Sequence, residues 1–177
     1  THTERPVVTE ELLRRLDVNG PRYTSYPTAD RFVDAFGPED YARALSQRAE
    51  GAGVIGGASP LSIYVHIPFC ESLCYYCGCN VVITKHRDVT DIYLDYLDRE
   101  IDLLAAHLPR RRHISQLHWG GGTPTYYSAA QLERVFTRLA RHFTFTPEAE
   151  LGVEIDPRVT SLYHLSTLRR LGRNRPA

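Results

Sequence analysis

The stretch HIPFCESLCYYCGCN, residues 66–80, contains every cysteine of this 177-residue chain. Cys70, Cys74, Cys77 and Cys79 lie so close together that they share one loop. Thiolates that crowd into one segment are typical ligands of soft metals, above all zinc and iron–sulfur clusters. The segment therefore indicates where the chemistry of the chain lies.

Composition and charge are those of an ordinary globular protein. Apolar residues make up 42% and charged residues 24% of the chain, and the formal net charge is zero. A zero net charge gives no electrostatic argument for nucleic acid or an anionic membrane as a partner. No apolar run approaches the roughly 20 residues of a membrane span, and the first residues lack the layout of a secretory signal. We therefore expect a cytoplasmic protein, in which disulfides are disfavoured.

Several chemical interpretations of the cysteine segment compete. Disulfides are disfavoured by compartment and by the tight spacing of Cys77 and Cys79. A structural zinc site normally takes two separated pairs, and only Cys74 and Cys77 form a pair, while His66 falls inside a strand pattern. A redox dithiol at that pair would leave Cys70 and Cys79 unused. An iron–sulfur cluster takes its thiolates from one loop, either with all four cysteines or with three and an open iron.

Residues 1–60 are expected to form an extension ahead of the main fold. A short helix is predicted over Glu10–Asp17, and a second helix begins at Pro38 and runs to about Ala49. Between them, NGPRYTSYPTADRF, residues 19–32, is rich in turn-forming residues and predicts a loop. GAGVIGGAS, residues 51–59, is typical of a flexible linker.

After residue 60, strand patterns alternate with helix patterns. Strands are predicted around SIYVHI, residues 62–67, then at Ile114–Trp119 and at Glu150–Asp156. Helices are predicted at Asp88–Leu108, from a Ser128–Gln131 capping box to His142, and at Thr160–Leu171 with Gly172 as the C-terminal cap. The first of these helices is expected to bury Ile92, Tyr93, Tyr96, Leu97, Ile101, Leu104 and Leu108. This alternation predicts an α/β fold with a parallel sheet of βαβ units.

Three polar features lie at the carboxyl ends of the three predicted strands. They are the cysteine loop, the triple glycine at residues 120–122 and the stretch from Glu154 to Asp156. Ligands of parallel α/β sheets bind beyond the carboxyl ends of the strands, so these features are expected to lie on one rim.

The first three cysteines have the spacing C-x3-C-x2-C, with the aromatic Tyr76 directly before Cys77. This motif, in a loop after the first strand, resembles the signature of the radical S-adenosylmethionine (radical SAM) superfamily. The triple glycine resembles the segment that binds the amino group of S-adenosylmethionine there. RYTSYPTA, YVHIPFC, CYYCGCN, QLHWGGGTPTY and VEIDPR are similar to the oxygen-independent coproporphyrinogen III oxidase family, over about residues 20–172.

The resemblance implies a fold and a set of site residues. The fold would be the first half of a radical SAM partial (β/α)6 barrel at residues 61–177, preceded by the extension at 1–60. Cys70, Cys74 and Cys77 would hold a 4Fe-4S cluster whose open iron binds S-adenosylmethionine. Further contacts to S-adenosylmethionine are implied for Tyr64, Tyr76, Gly78, Gly121, Gly122, Thr123 and Glu154. Cys79 is not needed as a ligand and is a candidate for hydrogen transfer or substrate contact, and Arg22 and Tyr23 are candidates for binding propionates.

The implied activity is the oxidative decarboxylation of coproporphyrinogen III propionates to vinyl groups, giving protoporphyrinogen IX in heme biosynthesis. The reaction would proceed through a 5′-deoxyadenosyl radical and would need a low-potential electron donor. Nucleic acid and membrane are not expected as partners. The full-length protein is expected to be a monomer. The alternatives are a heme chaperone or heme-degrading paralogue, and an electron carrier with a four-cysteine cluster. Cys79 and RYTSYPTA argue against the chaperone.

The end of the chain departs from the family pattern. After Gly172 the family continues with an apolar residue into a fourth strand, whereas this chain has Arg173 and ends at RNRPA. We therefore expect an N-terminal fragment with little or no turnover, in which the third strand exposes an unpaired edge.

Overall fold

A computed structural model of the chain describes residues 8–17, 28–49, 60–109, 112–172 and 174–176. The chain divides into two units, Thr1–Pro38 and Glu39–Ala177. The linker predicted at 51–59, and Arg22 and Tyr23 of the predicted loop, lie outside the described residues. The domain boundary at residue 60 therefore stays a prediction.

The first unit contains helix α1, Glu10–Leu16, and a 3-10 turn, Ala29–Arg31. The Thr9 side chain caps α1 by accepting a hydrogen bond from the Leu12 N–H at 3.2 Å. Helix α2, Pro38–Ala49, begins at the predicted proline, whose fixed φ suits a first helical turn. Both helices of the predicted extension are thus confirmed within a residue.

The second unit is built on a parallel sheet. Its strands are β1 (Leu61–Ile67), β4 (His113–Gly121), β5 (Thr144–Val153) and the short β6 (Arg175–Pro176), in the order β1-β4-β5-β6. A separate two-residue ladder pairs β2, Phe69–Cys70, with β3, Val82–Ile83. The prediction of an α/β fold with a parallel sheet is confirmed.

Strand β5 differs from its prediction at both ends. It was expected at Glu150–Asp156, but it begins at Thr144 and ends at Val153. The pairing with β4 jumps from Ile114–Phe145 to Gln116–Glu150, which makes β5 bulge around Pro147. Proline has no N–H to donate to a ladder, so the alternation that marks a strand is interrupted there.

The expectation of an unpaired edge on the third strand is wrong near its end. Asn174 donates its N–H to the Leu151 carbonyl at 3.1 Å, and its side-chain oxygen accepts the Leu151 N–H at 2.9 Å. Its amide nitrogen also donates to the Ala149 carbonyl at 3.0 Å. An asparagine side chain thus satisfies the edge just before β6 pairs with Gly152 and Val153.

Three helices cover the sheet: α3 (Val89–His107), α4 (Ala129–His142) and α5 (Leu162–Arg170). The predicted capping box of Ser128 and Gln131 at the start of α4 is confirmed. Helix α5 begins later than predicted because Ser161 is its N-cap, and Gly172 takes a φ of +79° after it, as a C-terminal glycine does. No described helix is long and apolar enough to cross a membrane.

The buried face of α3 agrees with the prediction in part: Ile101 and Leu108 are buried, and Tyr93, Leu97 and Leu104 are partly buried. Ile92 and Tyr96 are 59% and 64% exposed, whereas Leu94 and Ala105 are buried. Thr90 is buried as well, and its hydroxyl donates to the Arg87 carbonyl and accepts from the Gln131 amide. A polar residue whose bonds are satisfied can enter a core, and apolar periodicity does not reveal it.

The core lies between the sheet and these helices. Its largest fully buried side chains are Trp119, Tyr126, Tyr127, Ile67, Leu94, Ile114, Leu117, Leu132, Val135 and Val153. They fix the strands whose carboxyl ends carry the polar residues described next.

Candidate functional site

A cavity of about 580 Å³ lies at the carboxyl ends of the strands. Its wall includes Cys70, Cys74, Tyr76, Cys77, Cys79, Gly121, Gly122, Thr123, Glu154, Asp156 and Arg158. The structure therefore brings the cysteine loop, the triple glycine and the segment after β5 into one site. Of the residues proposed from the sequence, Tyr64 and Gly78 are not on this wall.

The cysteine loop is tied at both ends and open in the middle. The Val82 N–H donates to the Pro68 carbonyl at 2.8 Å and the Thr84 N–H donates to the Cys70 carbonyl at 3.0 Å, which closes the β2–β3 ladder around residues 71–81. Cys70 is half-buried, and its sulfur lies 3.5 Å from the Thr123 hydroxyl. The other three cysteines are exposed, and all four are free thiols.

The donor set suits an iron–sulfur cluster in its chemistry. Four soft thiols line one cavity, and three of them are exposed rather than packed as core residues. Within the described ranges, however, no three His, Cys, Asp or Glu side chains are already gathered as a metal site. Partial desolvation is the main reason why the pKa of the Cys79 thiol is raised. The negative charges of the neighbouring Cys77 and Glu154 raise this pKa further.

Each of the three glycines lies so close to neighbouring atoms that a side chain would not fit. A Cβ atom on Gly120 would lie 2.8 Å from the Glu154 carboxylate, and one on Gly122 would lie 2.7 Å from the Pro68 carbonyl oxygen. Gly121 has a φ of +115°, which side chains disfavour. The N–H groups of Gly122 and Thr123 donate to the carbonyls of Ile67 and Phe69 at 2.8 and 2.9 Å, and that of Gly121 donates to Glu154. The N–H groups of residues 121–123 are therefore already satisfied within the chain.

Glu154 follows β5 and turns its carboxylate across the neighbouring strand. Its N–H continues the ladder by donating to the Trp119 carbonyl at 2.9 Å. One carboxylate oxygen lies 3.2 Å from His118 Nε2, and the other accepts the Gly121 N–H at 3.2 Å. The carboxylate is thus fixed on β4 while still lining the cavity.

Tyr64 lies on the adjacent edge strand β1 and is 56% exposed. Its hydroxyl lies 3.2 Å from His66 Nδ1, and the other ring nitrogen of His66 lies 2.8 Å from the Asn80 carbonyl oxygen. The Tyr64 ring stacks on the ring of His118, with centroids 6.0 Å apart. Partial burial, followed by the charge of Glu154, raises the pKa of Tyr64. Tyr64 is therefore connected to the cavity through Glu154 and the loop.

Tyr76 and Gly78, two of the exposed residues of the loop, were proposed from the sequence as ligand contacts. Tyr76 is 101% exposed and lies on the cavity wall. Gly78 has no heavy atom within 4 Å of the position of a Cβ atom, so the backbone there is open.

Arg158 has no role among the sequence-based predictions, and the structure places it on the cavity wall. Its guanidinium binds Asp156 with Nη2–Oδ2 and Nε–Oδ1 distances of 2.7 and 3.0 Å, and Nη2 also lies 4.0 Å from the Cys74 sulfur. The hydrogen bonds from Arg158 lower the pKa of Asp156. His118 was missed in the same way, since a strand histidine and a rim arginine carry no distinctive pattern.

Arg87 anchors the start of the cysteine loop to the core. Its guanidinium stacks on the Tyr126 ring, 3.7 Å from the centroid, and donates to the Tyr126 carbonyl and to the Glu71 carboxylate. The anchor therefore joins the first residue after Cys70 to the turn that follows β4.

The fold and the cysteine loop agree with a known superfamily. The family model described as the radical SAM superfamily matches residues 64–177. The chain belongs to the radical SAM superfamily.

Within that superfamily, the chain is similar to proteins named oxygen-independent coproporphyrinogen III oxidase. It is 46% identical to the one from Escherichia coli over 164 residues, which cover 93% of this chain and 34% of that protein. It is 47% identical to the one from Mannheimia haemolytica over 146 residues, which cover 82% of this chain and 94% of that protein. The resemblance stated from the sequence is confirmed.

A solved structure supports the same relationship. The coproporphyrinogen III oxidase of Escherichia coli, described as a radical SAM enzyme, matches with a TM-score of 0.78 and 46% identity. The match covers 88% of this chain and 34% of that structure. The chain spans about a third of the length of the relatives from Escherichia coli and Pseudomonas aeruginosa, at 34% and 35%.

Proposed function

We propose that this chain forms the cluster-binding and S-adenosylmethionine-binding part of an oxygen-independent coproporphyrinogen III oxidase. The whole protein would convert propionate side chains of coproporphyrinogen III into vinyl groups, in heme biosynthesis. The observation that carries the proposal is that all four cysteines, the glycine turn and Glu154 line one cavity. The names of the relatives supply the substrate.

Cys70, Cys74 and Cys77 are the proposed ligands of a 4Fe-4S cluster. When bound, such a cluster supplies the low-potential electron that cleaves S-adenosylmethionine. The chain's own part is to hold the thiolates: the β2–β3 ladder closes the loop, and the Thr123 hydroxyl, 3.5 Å from the Cys70 sulfur, orients that thiol. Arg158 places a positive charge beside Cys74, which favours an anionic ligand set.

The remaining residues are proposed to bind and orient S-adenosylmethionine. Gly121 and Gly122 lie on the cavity wall without side chains, so the backbone there can approach the amino group of the ligand closely. Glu154 offers a fixed carboxylate to a polar group of the ligand. Tyr76 presents an open ring face, on which adenine can stack, next to the open backbone at Gly78. Tyr64 approaches the same ligand from β1.

Cys79 has a different proposed role. It lies on the cavity wall with the other three thiols, and its raised pKa favours the neutral thiol, which can transfer hydrogen or contact the substrate. The same position also favours a second candidate function, an electron carrier whose cluster is bound by all four cysteines.

For the whole protein, a low-potential electron donor is a proposed partner. A monomeric state, a cytoplasmic location and the lack of a nucleic-acid or membrane partner also remain proposals. The formal net charge of zero supports only the last of these, because it provides no field that would attract nucleic acid or an anionic membrane.

Iron content tests the ligand assignment. The protein, produced at the full length of its relatives, is reconstituted anaerobically with iron and sulfide as wild type, Cys70→Ser and Cys79→Ser. We expect Cys79→Ser to keep its iron and Cys70→Ser to lose most of it. Loss of iron in Cys79→Ser would instead favour the four-cysteine carrier.

Product analysis tests the reaction. With dithionite and S-adenosylmethionine, the reconstituted protein should form 5′-deoxyadenosine, which an electron carrier does not. Addition of coproporphyrinogen III should then give protoporphyrinogen IX, which separates the oxidase from a heme chaperone or a heme-degrading paralogue. Formation of 5′-deoxyadenosine without that product would contradict the proposed substrate.

A further inference from the structure

His118 lies on β4, which is flanked in the sheet by β1 and β5. It lies opposite Tyr64 of β1 and Gly152 of β5 in the register of the sheet. In-register neighbours of a parallel sheet point to the same face, so His118 and Tyr64 project side by side. His118 itself is not on the wall of the cavity.

The first contact of His118 is with Glu154. Its Nε2 lies 3.2 Å from one carboxylate oxygen, while the other oxygen accepts the Gly121 N–H at 3.2 Å. The carboxylate also fills the space beside Gly120, since a Cβ atom there would lie 2.8 Å from Glu154. Glu154 is 45% exposed in its side chain, so without these bonds water would compete for its position.

The second contact is with Tyr64. The two rings are nearly parallel, at 13°, with centroids 6.0 Å apart. The Tyr64 hydroxyl is bound at its far end by His66 Nδ1 at 3.2 Å. One histidine therefore touches two residues proposed to contact S-adenosylmethionine, on two different strands.

We infer that His118 is a positioning residue for S-adenosylmethionine, which fixes the Glu154 carboxylate by a hydrogen bond and the Tyr64 ring by stacking. The inference rests on the proposed function, because it needs Glu154 and Tyr64 to contact that ligand. It requires that changes at His118 weaken binding of S-adenosylmethionine without removing iron.

Two substitutions separate the two contacts. His118→Phe keeps a ring for Tyr64 and removes the hydrogen bond to Glu154. His118→Gln removes the ring and keeps an N–H that can reach Glu154. His118→Asn, whose shorter amide does not reach Glu154, is made in parallel, so that the loss of the hydrogen bond is tested even if one variant does not fold. His113→Leu is the matched control, because His113 is an exposed histidine at the other end of the same strand.

The measurement is the dissociation constant of S-adenosylmethionine, by equilibrium dialysis with the anaerobically reconstituted, full-length protein. We expect about tenfold weaker binding for His118→Phe and His118→Asn, because the hydrogen bond that fixes the charged Glu154 carboxylate is lost. His118→Gln should lose less, His113→Leu should be unchanged, and iron content should be the same in all.

A double-mutant cycle with Glu154→Ala distinguishes positioning from a general structural effect. If His118 acts through Glu154, His118→Phe should weaken binding little further once Glu154 is alanine. Independent, additive losses, or wild-type affinity in both His118→Phe and His118→Asn, would overturn the inference. A wild-type protein that carries its iron and does not bind S-adenosylmethionine would contradict the proposed function instead.

Discussion

The ring of His66 occupies the space that a side chain on Gly121 would need. A Cβ atom on Gly121 would lie 2.6 Å from Cε1 and 2.7 Å from Nδ1 of His66. The ring cannot simply rotate away, because its Nε2 is bound to the Asn80 carbonyl at 2.8 Å. The glycine turn after β4, the histidine of β1 and the end of the cysteine loop therefore fit together as one unit.

Gly121→Ala should destabilise this unit. The φ of +115° disfavours any side chain, and the methyl group would also displace His66. We expect a loss of about 1–3 kcal/mol or more in the free energy of unfolding, measured by urea denaturation. Gly78→Ala is the matched control, since no heavy atom lies within 4 Å of that Cβ position. Equal losses in the two variants would contradict the steric argument.

Arg87→Lys should loosen the cysteine loop while keeping the charge. A lysine retains one ammonium group, but it loses the planar stack on Tyr126 and the fork that binds the Tyr126 carbonyl and Glu71 together. We expect faster amide hydrogen exchange in residues 71–81, measured by mass spectrometry on the metal-free protein. Lys85→Gln, a change of the exposed basic residue two positions earlier, should leave exchange unchanged. Unchanged exchange in Arg87→Lys would exclude Arg87 as the anchor.

Most elements of the fold could be predicted because local chemistry determines them. The capping box of Ser128 and Gln131, the proline at the start of α2 and the glycine after α5 act over a few residues, and each lies where the sequence placed it. The spacing of the cysteines was equally informative, since a ligand motif is local.

The errors arose where distant residues decide the outcome. The ends of β5 depend on its register with β4, and its edge depends on Asn174, more than twenty positions away. The burial of the polar Thr90 on α3 depends on Gln131, which donates a hydrogen bond to its hydroxyl. His118 and Arg158 gain meaning only when the sheet brings Glu154 and Cys74 beside them, so no local pattern identifies them.

Tyr127→Phe should leave stability unchanged or raise it at neutral pH. The Tyr127 hydroxyl is buried, and no hydrogen-bond partner lies near it in the part of the chain that the structure describes. Tyr126→Phe is the matched comparison, because the Tyr126 hydroxyl donates to the Thr84 carbonyl at 2.9 Å. We expect Tyr126→Phe to lose about 1 kcal/mol in chemical denaturation. A larger loss in Tyr127→Phe than in Tyr126→Phe would contradict this assignment.

The same pair predicts a difference at alkaline pH. Burial raises the pKa of Tyr127 well above its ordinary value of 10.0. Above about pH 10 the unfolded chain releases this proton while the folded chain retains it, so stability falls as the pH rises through that range. The thermal midpoint of wild type should therefore decrease more steeply between pH 9 and 11, on the order of one ionisation, than that of Tyr127→Phe. Parallel pH profiles would show that Tyr127 does not titrate differently in the two states.

Arg134 joins α3 to α4 by binding two aspartates of α3. Its Nη2 lies 2.5 Å from Asp95 and 2.7 Å from Asp98, and its Nε lies 3.2 Å from Asp98. Asp98 is the more buried partner, with 22% of its side chain exposed, and its other oxygen is buried without a hydrogen-bond partner among the described residues. The guanidinium is therefore what makes a carboxylate tolerable at this position.

Arg134→Gln should cost about 1 kcal/mol in the free energy of unfolding, because it leaves the Asp98 charge without a cation. Arg170→Gln, which breaks the more exposed pair with Glu133, should cost less than Arg134→Gln does. Adding Asp98→Asn to Arg134→Gln should recover part of the loss, since the unpaired charge is then gone. If the double variant is less stable than Arg134→Gln alone, Arg134 contributes through packing of its aliphatic stem rather than by compensating the Asp98 charge.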